Sequence, residues 1–172
     1  QSPPPPMSPP DTASAPAASA SPHTDPARAA NDDPGRIATL IEPLIALMRD
    51  ISARELMPRF KHVAAEKKHD GSLVTEADRV VEAALGEALP HLFDCPMLGE
   101  EMPEQEQKRI WREAEWCWCV DPLDGTSNFA NGKRYFGISV ALMHRRKSVL
   151  GVVLDPNTNE VFHGLLDGGA WL

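Results

Sequence analysis

An α+β fold is predicted from three features of the chain: two amphipathic helical stretches come first, several strand-like runs joined by short turns follow, and the change of period between them is abrupt. Within residues 37–62, Ile37, Leu40, Ile41, Leu44, Ile45, Leu47, Met48, Ile51, Leu56 and Phe60 fall mostly three or four apart, the stripe of one helix. Pro43 interrupts that stripe and is tolerated only in a first turn, which moves the expected start to about residue 42. Residues 67–72, Lys-Lys-His-Asp-Gly-Ser, read as a turn. Thr75 then caps a second helix, with Asp78 three residues on, where Glu or Gln is the usual partner. Val80, Val81, Ala84, Leu85 and Leu89 supply its apolar face, and Pro90 is expected to end it. Beyond it, residues 95–99, 117–120, 137–143, 149–154 and 161–166 are short apolar runs. The basic segment 144–148 and the turn 155–159 separate the last three, so the sheet is expected to be largely antiparallel.

Residues 1–35 hold ten of the seventeen prolines and a single apolar anchor, Met7, so this stretch is expected to be a disordered, dispensable tail, with the folded part at 36–172. Seventeen basic against twenty-five acidic side chains give a net charge of −8, which argues against binding a nucleic acid backbone or an anionic membrane. No stretch approaches the roughly 18 apolar residues of a spanning helix, and the tail lacks the apolar centre of a secretory signal; the cytoplasm is the expected compartment. Cys95, Cys117 and Cys119 read as reduced and mostly buried, since two cysteines two apart fall short of a zinc site. The histidines are scattered, Trp111, Trp116 and Trp118 read as packing residues, and 101–115 reads as a charged, solvated helix. The chain opens on Gln1 and stops just after Gly168-Gly169-Ala170, so it is expected to be truncated at its C-terminus.

The chemistry concentrates in Asp121-Pro122-Leu123-Asp124-Gly125-Thr126-Ser127-Asn128-Phe129. Two carboxylates three apart, with a carbonyl between them, can converge on a hard cation, which prefers oxygen ligands. A helix starting at Gly125 and Thr126 would offer free amides to a phosphate beside that cation. The alternative is plain: Asp124-Gly125 as a turn and Asp121 as a cap. Gly99-Glu100-Glu101 and Thr75-Glu76-Ala77-Asp78 weigh against it, because acidic groups gathered at strand ends and helix starts need cations or protons to coexist.

These motifs, in this order, resemble the inositol monophosphatase family: residues 118–129, Gly99-Glu100-Glu101 upstream, and residues 70–78 before that, with 151–156 and 168–171 continuing the likeness. The resemblance implies a layered α/β/α/β/α sugar-phosphatase-type sandwich, of which only the N-terminal α+β half is present, and Mg2+ as cofactor. It also implies Glu100, Asp121, the Leu123 carbonyl and Asp124 as metal ligands, and Asp78 with Thr126 orienting the attacking water. Gly125 and Thr126 would hold the phosphate, and Glu101 and Lys67 would stand behind the site in support. The substrate implied is a small phosphomonoester, first inositol monophosphate, since Ser127-Asn128-Phe129 resembles that subgroup. Histidinol phosphate, fructose 1,6-bisphosphate, an adenosine bisphosphate, or a metal-binding relative without turnover are the alternatives. A homodimer is expected for the full-length protein. A further metal-ligating aspartate would come from the second half, whose absence is expected to expose Val140, Leu142, Val152 and Leu154 and to leave the chain catalytically deficient.

Overall fold

The computed structural model describes residues 34–62, 64–68 and 73–172. The tail at 1–33 and residues 69–72 of the expected turn lie outside the described residues. Helix α1 spans Pro34–Ala38 and α2 spans Ile41–Ile51. A π-turn at Ser52–Leu56 and a 3-10 turn at Met57–Arg59 follow. The helix expected to start at about residue 42 does start at Ile41, but the stripe over 37–62 is divided before and after it, and its prolines account for the divisions. Pro43 cannot coexist with a helical carbonyl four residues back, so the chain breaks at Thr39–Leu40; Pro58 does the same to the turn before it, where the Met57 N–H reaches the Ser52 carbonyl.

A two-stranded ladder, β1 (Glu66–Lys67) against β2 (Leu73–Val74), leads into α3, Glu76–Leu92. Thr75 caps α3 as expected, its hydroxyl accepting from the Ala77 N–H at 3.1 Å while Asp78 accepts from the Thr75 N–H at 2.7 Å. Pro90 does not end this helix: it lies inside the last turn, where losing one backbone bond costs least, and the helix runs on to Leu92.

The remaining chain builds a six-stranded sheet in sequence order. Its strands are β3 (Met97–Gly99), β4 (Trp116–Asp124), β5 (Gly137–His144), β6 (Lys147–Asp155), β7 (Glu160–Leu165) and β8 (Gly169–Trp171). All neighbours are antiparallel except β3 and β4, which are parallel because α4 (Glu104–Glu113) crosses between them. Helix α4 is charged and solvated apart from buried Ile110.

One face of the sheet packs on α2 and α3, with α3 over β4 and α2 over β6. Alternation places Val140, Leu142, Val152 and Leu154 on that face, fully buried with Trp118 and Ile138. The expectation that these four would be exposed is thus wrong by one register step: the open face is the opposite one, where Val153 and Phe162 pair. Trp118 is a packing residue whose indole N–H donates to the Phe93 carbonyl at 3.1 Å. Burial pushes the Cys95 thiol up to about 12, which keeps it protonated and inert. Among the described residues no helix is long and apolar enough to cross a membrane.

Candidate active site

The register of the parallel pair sets the site. Gly99 lies beside Val120, so the next residues, Glu100 just past the end of β3 and Asp121 within β4, follow on adjacent strands together. Asp121 and Asp124 would point to opposite faces of a regular strand. Here Asp121 pairs with Ser139 but Asp124 with Gly137, so β4 carries one extra residue between them. This bulge holds Pro122, which has no N–H to give to a ladder, and brings both carboxylates to the same side.

The turn that follows is braced from beneath. Gly125 has φ +91° and takes a backbone form that a side chain would oppose; an added Cβ would lie 2.9 Å from the Tyr135 carbonyl. Helix α5, Thr126–Ala130, starts there. Its Phe129 packs with Phe60 and Phe136, ring centroids 4.9 to 5.4 Å apart, as a buried aromatic support.

Asp78 and Thr126, 48 residues apart in sequence, meet: the Thr126 hydroxyl lies 3.0 Å from Asp78 Oδ1 and 3.1 Å from the Leu123 carbonyl. Asp78 is 1% exposed. Its other oxygen accepts from the Thr75 N–H and hydroxyl, so the buried charge is satisfied by three donors and by the start of α3.

Asp121 is the perturbed acid of the group. Burial, then the charge of Glu100, a hydrogen bond with Glu100 and the charge of Asp124 push its carboxyl up to about 7, against the Leu123 N–H that donates to it at 3.1 Å. Lys68 partly compensates, its ammonium 2.6 Å from Glu101 Oε1 and 3.3 Å from Glu100 Oε1. Lys67, the lysine singled out in the sequence, is instead exposed on β1, and its neighbour Lys68 is the one in contact with the two glutamates.

Besides Lys68, two further residues beside the candidate site were missed. Glu82 is buried and accepts the Glu101 N–H at 2.8 Å; burial raises its carboxyl, and it sits so close to Gly99 that a side chain there would collide with it. A signal existed, since Asp78, Glu82, Leu85 and Leu89 form one helical stripe and an acid inside an apolar stripe asks for a partner. Gln107 donates to three carbonyls, those of Gly99, Glu100 and Met102, at 3.0, 3.0 and 3.1 Å. Nothing in the charged run 101–115 distinguishes it.

Glu100, Asp121, Asp124 and the Leu123 carbonyl make an all-oxygen donor set of the kind that suits a hard divalent cation, and the Asp121 carboxyl, raised first by burial and then by the charges of Glu100 and Asp124, is one that such a cation would return to its ionised form. Among the described residues no three His, Cys, Asp or Glu side chains stand close enough as they are to hold a metal ion. The donors fit by chemistry and position, not as a finished cage.

Residues 37–172 match the model of the inositol monophosphatase family. The 3′(2′),5′-bisphosphate nucleotidase CysQ of Haemophilus influenzae is 36% identical over 64% of this chain and 41% of its own length. Inositol monophosphatase 2 of Solanum lycopersicum is 35% identical over 65% of this chain and 42% of its own. Among solved structures, a Thermotoga maritima IMPase superposes with a TM-score of 0.67 at 30% identity, covering 76% of this chain and 50% of that one. The chain spans less than half the length of these two curated relatives. On the extent of that match, the chain belongs to the inositol monophosphatase family.

Proposed function

We propose that the protein hydrolyses a small phosphomonoester in a magnesium-dependent reaction, with inositol monophosphate as the first substrate to test. The Asp78–Thr126 hydrogen bond carries this reading: it joins two distant motifs next to Glu100, Asp121 and Asp124. When bound, the divalent cation supplies an acidified water and neutralises charge on the phosphoryl oxygens. Glu100, Asp121, Asp124 and the Leu123 carbonyl would hold it. Asp78 holds the Thr126 hydroxyl proton, which leaves the Thr126 oxygen free to accept from, and so orient, the attacking water. The Gly125 and Thr126 amides, at a helix start where backbone donors lack helical partners, bind the phosphate oxygens.

Phosphate release by the full-length protein, with and without magnesium, should be measured on inositol monophosphate, histidinol phosphate, fructose 1,6-bisphosphate and an adenosine bisphosphate. Magnesium-dependent release strongest on the first is expected. A preference for the adenosine bisphosphate would move the reading toward the nucleotidase relative, and no release from any of the four would overturn it. The same reading takes the full-length protein as a cytoplasmic homodimer, which sedimentation and cell fractionation test.

A further inference from the structure

Glu100 is held through its backbone, from two sides, by residues of different helices. On one side Glu82 of α3 accepts the N–H of Glu101 at 2.8 Å. On the other, the Gln107 amide of α4 spans the carbonyls of Gly99, Glu100 and Met102 within 3.1 Å. The Gly99 N–H meanwhile faces Met102 Sδ at 3.2 Å. Four consecutive residues leaving the edge strand β3 are thus fixed in a turn whose only outward-reaching acid is half-exposed Glu100. Loop carbonyls at a strand end would otherwise bond to water and let the turn rock, and an ion ligand on a rocking turn loses affinity through the cost of ordering it.

We infer that Gln107 is a positioning residue, which presents Glu100 to the divalent cation by clamping the 99–102 turn; the inference rests on the metal-assisted reading above. The Gln107 NH2 group has two hydrogens for three acceptors, so it serves as a shared donor at the centre of the turn. Gln107→Glu keeps the shape but removes the donors and sets a carboxylate against three carbonyls, whereas Gln107→Ala removes shape and donors together.

The test is magnesium binding by calorimetry on the full-length protein and both variants, alongside kcat at saturating magnesium and hydrogen exchange of the 99–102 amides without metal. Both variants should raise the magnesium Kd about tenfold, the lower end of what supporting residues of metal sites contribute. Exchange at 99–102 should quicken, while kcat at saturating metal and the melting temperature stay near those of the parent. A parent that binds magnesium and variants that bind it equally would overturn this inference alone. The same holds if Gln107→Glu behaves as the parent, or if kcat falls with Kd unchanged. A parent that neither binds magnesium nor releases phosphate would overturn the metal-assisted reading, and this inference with it.

Discussion

Asp78, which is buried, and Asp121, which is partly buried, are two acids handled in opposite ways. Asp78 meets three donors and needs no cation, whereas Asp121 meets Glu100 and Asp124 and needs a proton or a metal. With its folded pKa raised from the ordinary 3.8 to about 7, Asp121 binds a proton more tightly in the folded than in the unfolded state. Its contribution to metal-free stability is therefore full below about pH 4 and is lost as pH rises to about 7. Asp121→Asn is expected to flatten that part of the pH dependence of melting, and to lower turnover by about two to three orders of magnitude by removing charge from the transferring phosphoryl site. A variant with the parent's pH profile and near-parent turnover at saturating magnesium would show that Asp121 lies outside the site. Thr126→Ala should leave melting and metal affinity near the parent's while turnover drops; equal loss of metal affinity would instead assign the hydroxyl to holding the Leu123 carbonyl in place. The pairing of Asp121 with Asp124 was legible in the sequence because it depends on local spacing, whereas the roles proposed for Asp78 and Thr126, 48 residues apart, came from the family resemblance. Gln107 and Lys68 were not legible, because their partners are backbone carbonyls and carboxylates brought near only by the fold.

Among the elements, the ones read correctly carry their own punctuation. The cap at Thr75 and the two apolar runs separated by the basic turn at 144–148 are local signals, and both held. Pro43 set the start of its helix as expected, but Pro90 and the break after Ile51 were misread, because a proline states where a bond is missing, not whether packing will tolerate the loss. The β5–β6 hairpin adds a strain that composition hides. Arg145 and Arg146 both have positive φ, 47° and 67°, the mirror-image turn that suits a twisted hairpin but favours Asn-Gly over two arginines. Arg145 is anchored on Glu115 at 2.8 Å, whereas Arg146 makes only a 3.3 Å contact to the Trp111 carbonyl. Arg146→Gly is accordingly expected to stabilise the fold by about 0.5 kcal/mol, read from the urea midpoint, since relief of the left-handed penalty exceeds the weak bond and the added chain entropy. A lowered midpoint would show that the contact to α4 outweighs the strain.

At the scale of the whole molecule, the two faces of the sheet have unequal partners. Helices α2 and α3 cover one face and give the core all of its large buried side chains from β5 and β6. The other face presents Val153 and Phe162 at 40 and 49% exposure, with small Ala141, Gly151, Gly164 and Ala170 on the next rung of the same face. That face also leads to the site, since Asp121 and Ser139 share a rung with Val153 and Phe162. A contiguous apolar surface beside a polar cluster favours association over a free monomer. Residues 1–172 expressed alone should thus self-associate as concentration rises, measured by sedimentation or light scattering. Phe162→Ser combined with Val153→Thr should suppress that association, while the melting temperature changes little because both side chains stand on the face away from the helix-covered core. Val152→Ser, one residue along and on the buried face, is the contrasting control: it should unfold the chain rather than disperse it. A parent chain that stays monomeric at every concentration would show that this face is content in water, and with it would fall the claim that alternation, rather than chain length, decides which surface the sheet leaves open.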